Sequence, residues 1–390
     1  MEGQVEVNGV GIDTIWQKSD GLIKEKGRDT MKRTYTVGFL VAAFMIAVVF
    51  TPSWAAEKVA PITIKCSHAF SPKMNIMQLW MEWAEEVTKR SDGRIEFTWF
   101  HGGAISKPGE EQEHCRRGVV QMVGTSATWY SYMPLWEMNG ALPFQPKDTL
   151  LAVKTKWQLY QEFPELRNEV EKMNMKLMFI GPYGDYHIIS RIPLNSLDDF
   201  QGLKVAILGR QQPKWFEGTG ATTIFLPGPA RYEALEKGAV DASLMGGLGS
   251  TMAFRHPEMC KYMLLCGLGQ YCSFFYTMNQ DTWNKISPKD QKMMEELSKT
   301  LMFEWAPKRI DGDEVKFRKI MEEKFGVNFH TLSYKDRTKW AQSLPNLAKV
   351  WVDEAENDSD RELRKRMWLR NLELVKKGGY EWPMDWSNVD

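Results

Sequence analysis

The sequence lacks the common marks of catalysis. It contains no HExxH pair, no GxSxG elbow and no GKS or GKT phosphate loop. Its six histidines, at 68, 101, 114, 187, 256 and 330, never fall at metal-ligand spacing. "GTGATT" (218–223) starts like a dinucleotide fingerprint, but it lacks the third glycine and follows a helical stretch instead of a strand. No metal, no cofactor and no enzyme chemistry is expected from these patterns. An excess of one charge is also missing. Lys+Arg and Asp+Glu each number 50, so there is no basic field for nucleic acid. Cysteine is scarce, with five residues at 66, 115, 260, 266 and 272. Five cannot all pair, and the even spacing of the last three fits no CxxC zinc pattern, so small buried hydrophobes with at most one bridge are expected.

Long apolar runs are absent but for Thr36–Phe50, which carries no charge. That run is shorter than the about 18 residues that mark a spanning helix. Met31-Lys32-Arg33 stands before it, and Ser53-Trp54-Ala55-Ala56 after it offers small residues around a cut after Ala55. Charged start, apolar middle and small-residue cut site make a secretory signal over 31–55, with an uncleaved anchor as the alternative. Residues 1–30 precede a complete signal, so translation is expected to start at Met31. The mature chain is expected to be exported and not itself membrane-spanning.

What is present reads as two similar α/β units. "ITIKCS" (62–67) and "RIEFTWF" (94–100) alternate as strands, and "VVQMV" (119–123) reads as a third. Between them Ser71-Pro72 opens an amphipathic helix with Ile76, Leu79, Trp80, Trp83, Ala84 and Val87 on one face, and "EEQEHCRR" follows Ser106 and Pro108 as a second. The order returns later. "KVAIL" (204–208), "TTIFL" (222–226) and "VDASLM" (240–245) are strands, separated by the short helix "QQPKWFEG" and by "PARYEALEKG" (229–238). Such alternation predicts parallel sheets with a cleft at the strand ends. "SLDD" (196–199) is a capping box. Residues 288–325 are either two packed helices or one long kinked helix. The Trp-rich stretch 335–390 is helical, with no place in the fold assigned. Sixteen Trp residues suit either a core or a ring-lined cleft.

"SDGRIEFTWFHGGAI" (91–105), "LDDFQGLKVAI" (197–207), "LPGPARYEALEKGAVDA" (226–242) and "MNQDTWNKISPKDQKMMEEL" (278–297) occur in that order. This resembles the extracytoplasmic solute-binding subunit of tripartite ATP-independent periplasmic (TRAP) transporters. The resemblance runs from about residue 60 to about residue 345. It implies a periplasmic protein with two α/β lobes hinged around a cleft. A long helix would span both lobes, a small organic acid would bind, and a membrane permease would be the partner. The lobes expected are 56–183 with 273–310, and 184–272 with 311–366, followed by a tail over 367–390.

The family commonly places an arginine where this chain has Ala206, and that arginine pairs with the substrate carboxylate. Here the usual clamp is missing, as is the second arginine common near Tyr186 and His187. The solute is therefore either an organic acid or a neutral or aromatic molecule. Candidate ligand contacts at strand ends are His68, Phe70, Thr125, Ser126, Trp129, Tyr183, Tyr186, Arg210, Phe225, Met245 and Gly246. Trp129 and Tyr186 are the favoured stacking pair. Arg210 either reaches back to replace the clamp, sharing the facing of 206 by strand alternation, or is a solvated surface residue. His68 and His187 are either ligand contacts or satisfied structural histidines, and Asp241 is expected to hydrogen-bond loop amides at the strand start, with a catalytic role as the alternative. Two further readings share the same cleft: a sensor subunit presenting ligand to a signalling receptor, and a secreted α/β enzyme.

Overall fold

The computed structural model describes residues 60–390, except Pro227 and Tyr271. The segment 31–55, read from the sequence as a secretory signal, and the stretch 1–30 lie outside the described residues. Two sheets organise the rest. The first has the order β2 (Ile95–Phe100), β1 (Ile62–Ser67), β3 (Met122–Ser126), β10 (Phe274–Asn279), β4 (Met175–Gly181). The second has the order β11 (Asn328–Thr331), β9 (Tyr262–Leu265), β5 (Tyr186–Ser190), β8 (Ala242–Gly246), β6 (Lys204–Ile207), β7 (Thr222–Phe225).

The echo between the two halves of the sequence is a real structural repeat. β1 pairs in parallel with β2 and β3, and β6 pairs in parallel with β7 and β8. Each unit thus places its first strand between its second and third. The expectation of parallel sheets needs correction, because both sheets are mixed. β10 runs antiparallel to β3 and β4, and β5 runs antiparallel to β8 and β9. The chain crosses from one sheet to the other between β4 and β5, and returns between β9 and β10. β5 and β10, the strands entered at these two crossings, run against the local βαβ direction.

Several predicted boundaries shift for local reasons. The helix expected from Ser71 begins at Asn75, because Ser71 O first accepts the Met74 N–H at 3.1 Å and closes a turn. Its apolar face is buried as expected, and Lys89 and Arg90 sit at its negative C-terminal end. The strand predicted at 119–123 is β3, Met122–Ser126. Gly118 (φ 72°) turns the chain, and the Gln121 side chain accepts the Lys65 N–H before pairing starts. "QQPKWFEG" forms a 3₁₀ turn over Gln212–Phe216. The capping box at Ser196 and Asp199 is present.

Residues 288–325 form one continuous helix. Pro288–Thr300 passes through a π-helical turn, Leu301–Trp305, into Ala306–Phe325. The widened turn lies just before Pro307, whose ring cannot accept ordinary α packing against the preceding turn. The first half packs on β4 and the helix Asn75–Arg90. The second half packs on the helix Gly247–Ala253 that follows β8. The helix therefore touches elements of both sheets. The C-terminal stretch supplies Tyr334–Ser343, Leu347–Asp353 and Asp358–Lys377, the last packing on Thr149–Glu162. Most tryptophan is core. Trp80, Trp136, Trp215, Trp340 and Trp368 are fully buried, and several indoles donate to backbone carbonyls, as Trp340 does to Trp215 O at 2.6 Å. All five cysteines are free, buried thiols, so none of them uses the bridge that export would permit. No helix among the described residues is long and apolar enough to cross a membrane.

Candidate functional site

A cavity of about 1100 Å³ opens where the strand ends of the two sheets face each other. Phe70, Gly102 and Trp129 line it from the loops after β1, β2 and β3. Leu208 and Arg210 follow β6, Phe225 ends β7, and Phe254 and Arg255 follow the helix after β8. Strand ends of α/β sheets are where ligands bind, because the connecting loops there diverge and leave space. Of the eleven candidate residues, the structure brings Phe70, Trp129, Arg210 and Phe225 together on this cavity.

The other seven lie behind it. Thr125 and Ser126 are buried in β3 and bonded to Tyr130 and Thr128 hydroxyls. Met245 and Gly246 are buried in β8. Tyr183 and Tyr186 belong to a file of rings that backs the cavity. Phe70 meets Phe274 at 5.2 Å, Phe274 stacks on Tyr183 at 4.8 Å, and Tyr186 sits between Tyr183 and Trp215 at 6.0 and 5.9 Å. This file makes the inner wall rigid and apolar. Asp241 accepts the Lys204 N–H at 2.9 Å, the loop-amide role expected of it.

His68 is a positioning group. It is buried, its Nδ1 accepts the Phe70 N–H at 3.2 Å, and so its proton is on Nε2, which donates to His101 Nδ1 at 2.8 Å. Gly102 N–H donates to Phe70 O and Gly103 N–H to His68 O. These bonds hold the Phe70 loop. Burial, with His101 alongside, pushes the His68 pKa down to about 3. The unfolded chain takes up this proton near pH 6.5, and the folded chain does so only near 3. Stability from neutral His68 is therefore complete above about 6.5 and is lost as pH falls toward 3, by up to about 5 kcal/mol. Denaturant titrations of the wild type and His68→Gln between pH 7 and 4 are expected to converge as the pH drops. Parallel curves would remove His68 from this role.

Arg210 does not extend a strand. β6 stops at Ile207, because Gln212 Oε1 accepts the N–H groups of Leu208 and Gly209 at 3.0 and 2.9 Å and bends the chain. The expected shared facing of residues 206 and 210 therefore fails. Ala206 is fully buried, opposite Ile224 and Ser243. Arg210 instead forms an ion pair with Glu137, whose side chain is 1 % exposed, while 49 % of its own side chain stays open to solvent. Burial raises the Glu137 carboxyl pKa and the Arg210 guanidinium opposes that rise.

Sequence reasoning missed Lys107, Tyr232, Phe254 and Arg255, which also line the cavity. Arg255 has φ 60°, and its guanidinium is held by both oxygens of Glu258, at 2.7 and 2.9 Å. Tyr232 O–H donates to the same carboxylate at 2.9 Å. Arg255 is thus neutralised, whereas Lys107 has no ion pair among the described residues. The arrangement offers ring faces and two cationic groups, Lys107 and Arg210, from opposite sides. No cluster suited to a metal ion occurs among the described residues.

Comparison with known proteins agrees with this geometry. A solute-binding protein of Albidiferax ferrireducens is 25 % identical over 301 residues, covering 74 % of this chain and 86 % of its own. A marine-metagenome TRAP solute-binding protein specific for aromatic acid ligands, solved with 3-hydroxybenzoate, superposes with TM-score 0.72 at 22 % identity. It covers 82 % of this chain and 99 % of its own. A TRAP solute-binding protein of Rhodoferax ferrireducens with copurified benzoate superposes with TM-score 0.71 at 18 % identity, covering 81 % and 98 %. The profile of the DctP group, bacterial extracellular solute-binding protein family 7, matches residues 66–354, and the chain belongs to that family.

Proposed function

We propose that this protein captures a small aromatic carboxylate in the cavity between its two sheets and, without turning it over, presents it in the periplasm to a TRAP-type permease. The observation that carries the reading is the pairing of ring faces, Phe70, Trp129, Phe225 and Phe254, with the half-open guanidinium of Arg210. A benzoate-like solute has one apolar face and one charged end, and this cavity meets each with its complement. The aromatic acids held by the two solved relatives support the same class. The lobes proposed remain 56–183 with 273–310, and 184–272 with 311–366. Binding between them favours a closed state over an open one.

Trp129 lies half-buried on the cavity, 5.3 Å from Phe70. Trp129→Ala is expected to weaken benzoate by about 1–3 kcal/mol in calorimetric titration while the melting temperature stays close to wild type. If Trp129 serves the core alone, the same change lowers stability by about 3–5 kcal/mol and leaves the affinity of the folded fraction unchanged. That result would overturn its role at the ligand.

A further inference from the structure

A second cavity, about 520 Å³ in volume, lies at the crossings between the two sheets. Asp185 and His187 line it from the first crossing and the strand it enters. Leu265 and Gly267 line it from the second, and Tyr380 from the C-terminal tail. The crossings are laced together here. Gly269 N–H donates to Asp185 Oδ1 at 2.7 Å, and Gly184 N–H to Gln270 Oε1 at 3.2 Å.

The charges around this cavity are unevenly satisfied. Both carboxylates are engaged. Asp185 accepts Gly269 N–H and has His187 Nε2 at 3.7 Å, and Asp148 caps its helix through the Leu151 N–H at 2.6 Å. The two cations, Lys147 and Arg337, have no carboxylate partner among the described residues. Arg337 lies over the Phe144 ring at 5.8 Å and donates one N–H to Gly267 O at 2.9 Å, while its buried Nε is without a hydrogen-bond partner. His187 is 5 % exposed, and its Nδ1 has no hydrogen-bond partner. Buried donors and acceptors left unmet cost free energy that a bound group recovers.

We infer that this cavity is a second ligand site, taking a small organic dianion of the dicarboxylate class through Lys147 and Arg337. Because its walls come from both crossings, the anion binds the open and closed arrangements of the lobes unequally, and so couples to the cleft. By linkage, each ligand changes the affinity of the other by the same factor. The site itself does not depend on the aromatic-acid reading of the cleft, whereas the coupling does.

Malonate is the probe, titrated calorimetrically into the full chain. Saturable one-site binding is expected in the wild type and in Arg210→Ala. Lys147→Gln and Arg337→Gln are each expected to weaken it at least about tenfold. Lys147 is exposed, so its variant tests the site without endangering the fold. Saturating malonate is further expected to shift benzoate affinity several-fold in the wild type but not in Lys147→Gln. Absence of saturable binding at millimolar malonate would overturn the site. So would binding that Arg210→Ala abolishes and Lys147→Gln preserves, which places malonate in the cleft. Malonate binding that Lys147→Gln weakens, in a protein that takes no benzoate, supports the second site and sinks only the cleft reading.

Discussion

Arg210→Ala is expected to weaken a benzoate-class acid by about 2–5 kcal/mol, and Arg210→Lys is expected not to restore it. The planar fork of arginine can keep one arm on Glu137 and turn others to a ligand carboxylate, which an ammonium cannot copy. The Glu137 side chain is 1 % exposed and its Oε1 has no partner, so alanine at 210 also strands a buried carboxylate. Arg210→Ala is therefore compared with the double variant Arg210→Ala/Glu137→Gln, which removes that charge. Loss of affinity in both, with stability recovered in the double, separates ligand contact from folding. Glu137→Gln alone is expected to tighten an acid ligand, since it removes an internal competitor for the guanidinium. Unchanged benzoate affinity in the double variant would take Arg210 out of the site.

Gly269→Ala is expected to destabilise the fold by about 2–4 kcal/mol, read from the shift of a denaturant midpoint. Gly269 has φ 82°, and a Cβ there would lie 1.8 Å from Gln145 O, a backbone atom held in place by the Gln145 N–H to Leu268 O bond. The neighbouring Gly267 is the control. It has φ 61°, but its added Cβ meets only the side chain of Arg337, at 3.2 Å. Gly267→Ala should cost about 1–2 kcal/mol, the conformational part alone. Equal losses at the two positions would show that backbone conformation, and not close approach at the crossing, sets the cost.

Much of the site's framework was legible because it is local. Helix and strand periods in 62–126 and 204–246 predicted two βαβαβ units, and the structure gives both the same strand order. Phe70, Trp129, Arg210 and Phe225 were reachable by one rule, that side chains just past strand ends meet a cleft. Arg255 was not reachable that way, since it lies beyond the helix that follows β8 and takes its direction from a left-handed backbone. Glu137 was invisible for a stronger reason. It is 73 positions from Arg210, and no pattern of spacing encodes a pair formed by two segments that follow strands of separate sheets.

The sequence by itself determined the class of this protein: an α/β chain of two echoed units carrying family motifs in order, balanced in charge, without a catalytic signature. Those properties are set by short-range periodicity, turn residues and composition, and none of them needs a contact between distant segments. Only the tertiary structure decided that Arg210 is partly neutralised, that Tyr183 and Tyr186 back the cavity instead of lining it, and that β5 and β10 run against their sheets. Each of these depends on segments far apart in the chain being brought together. Burial and charge pairing are properties of that meeting, so no single stretch of sequence contains them.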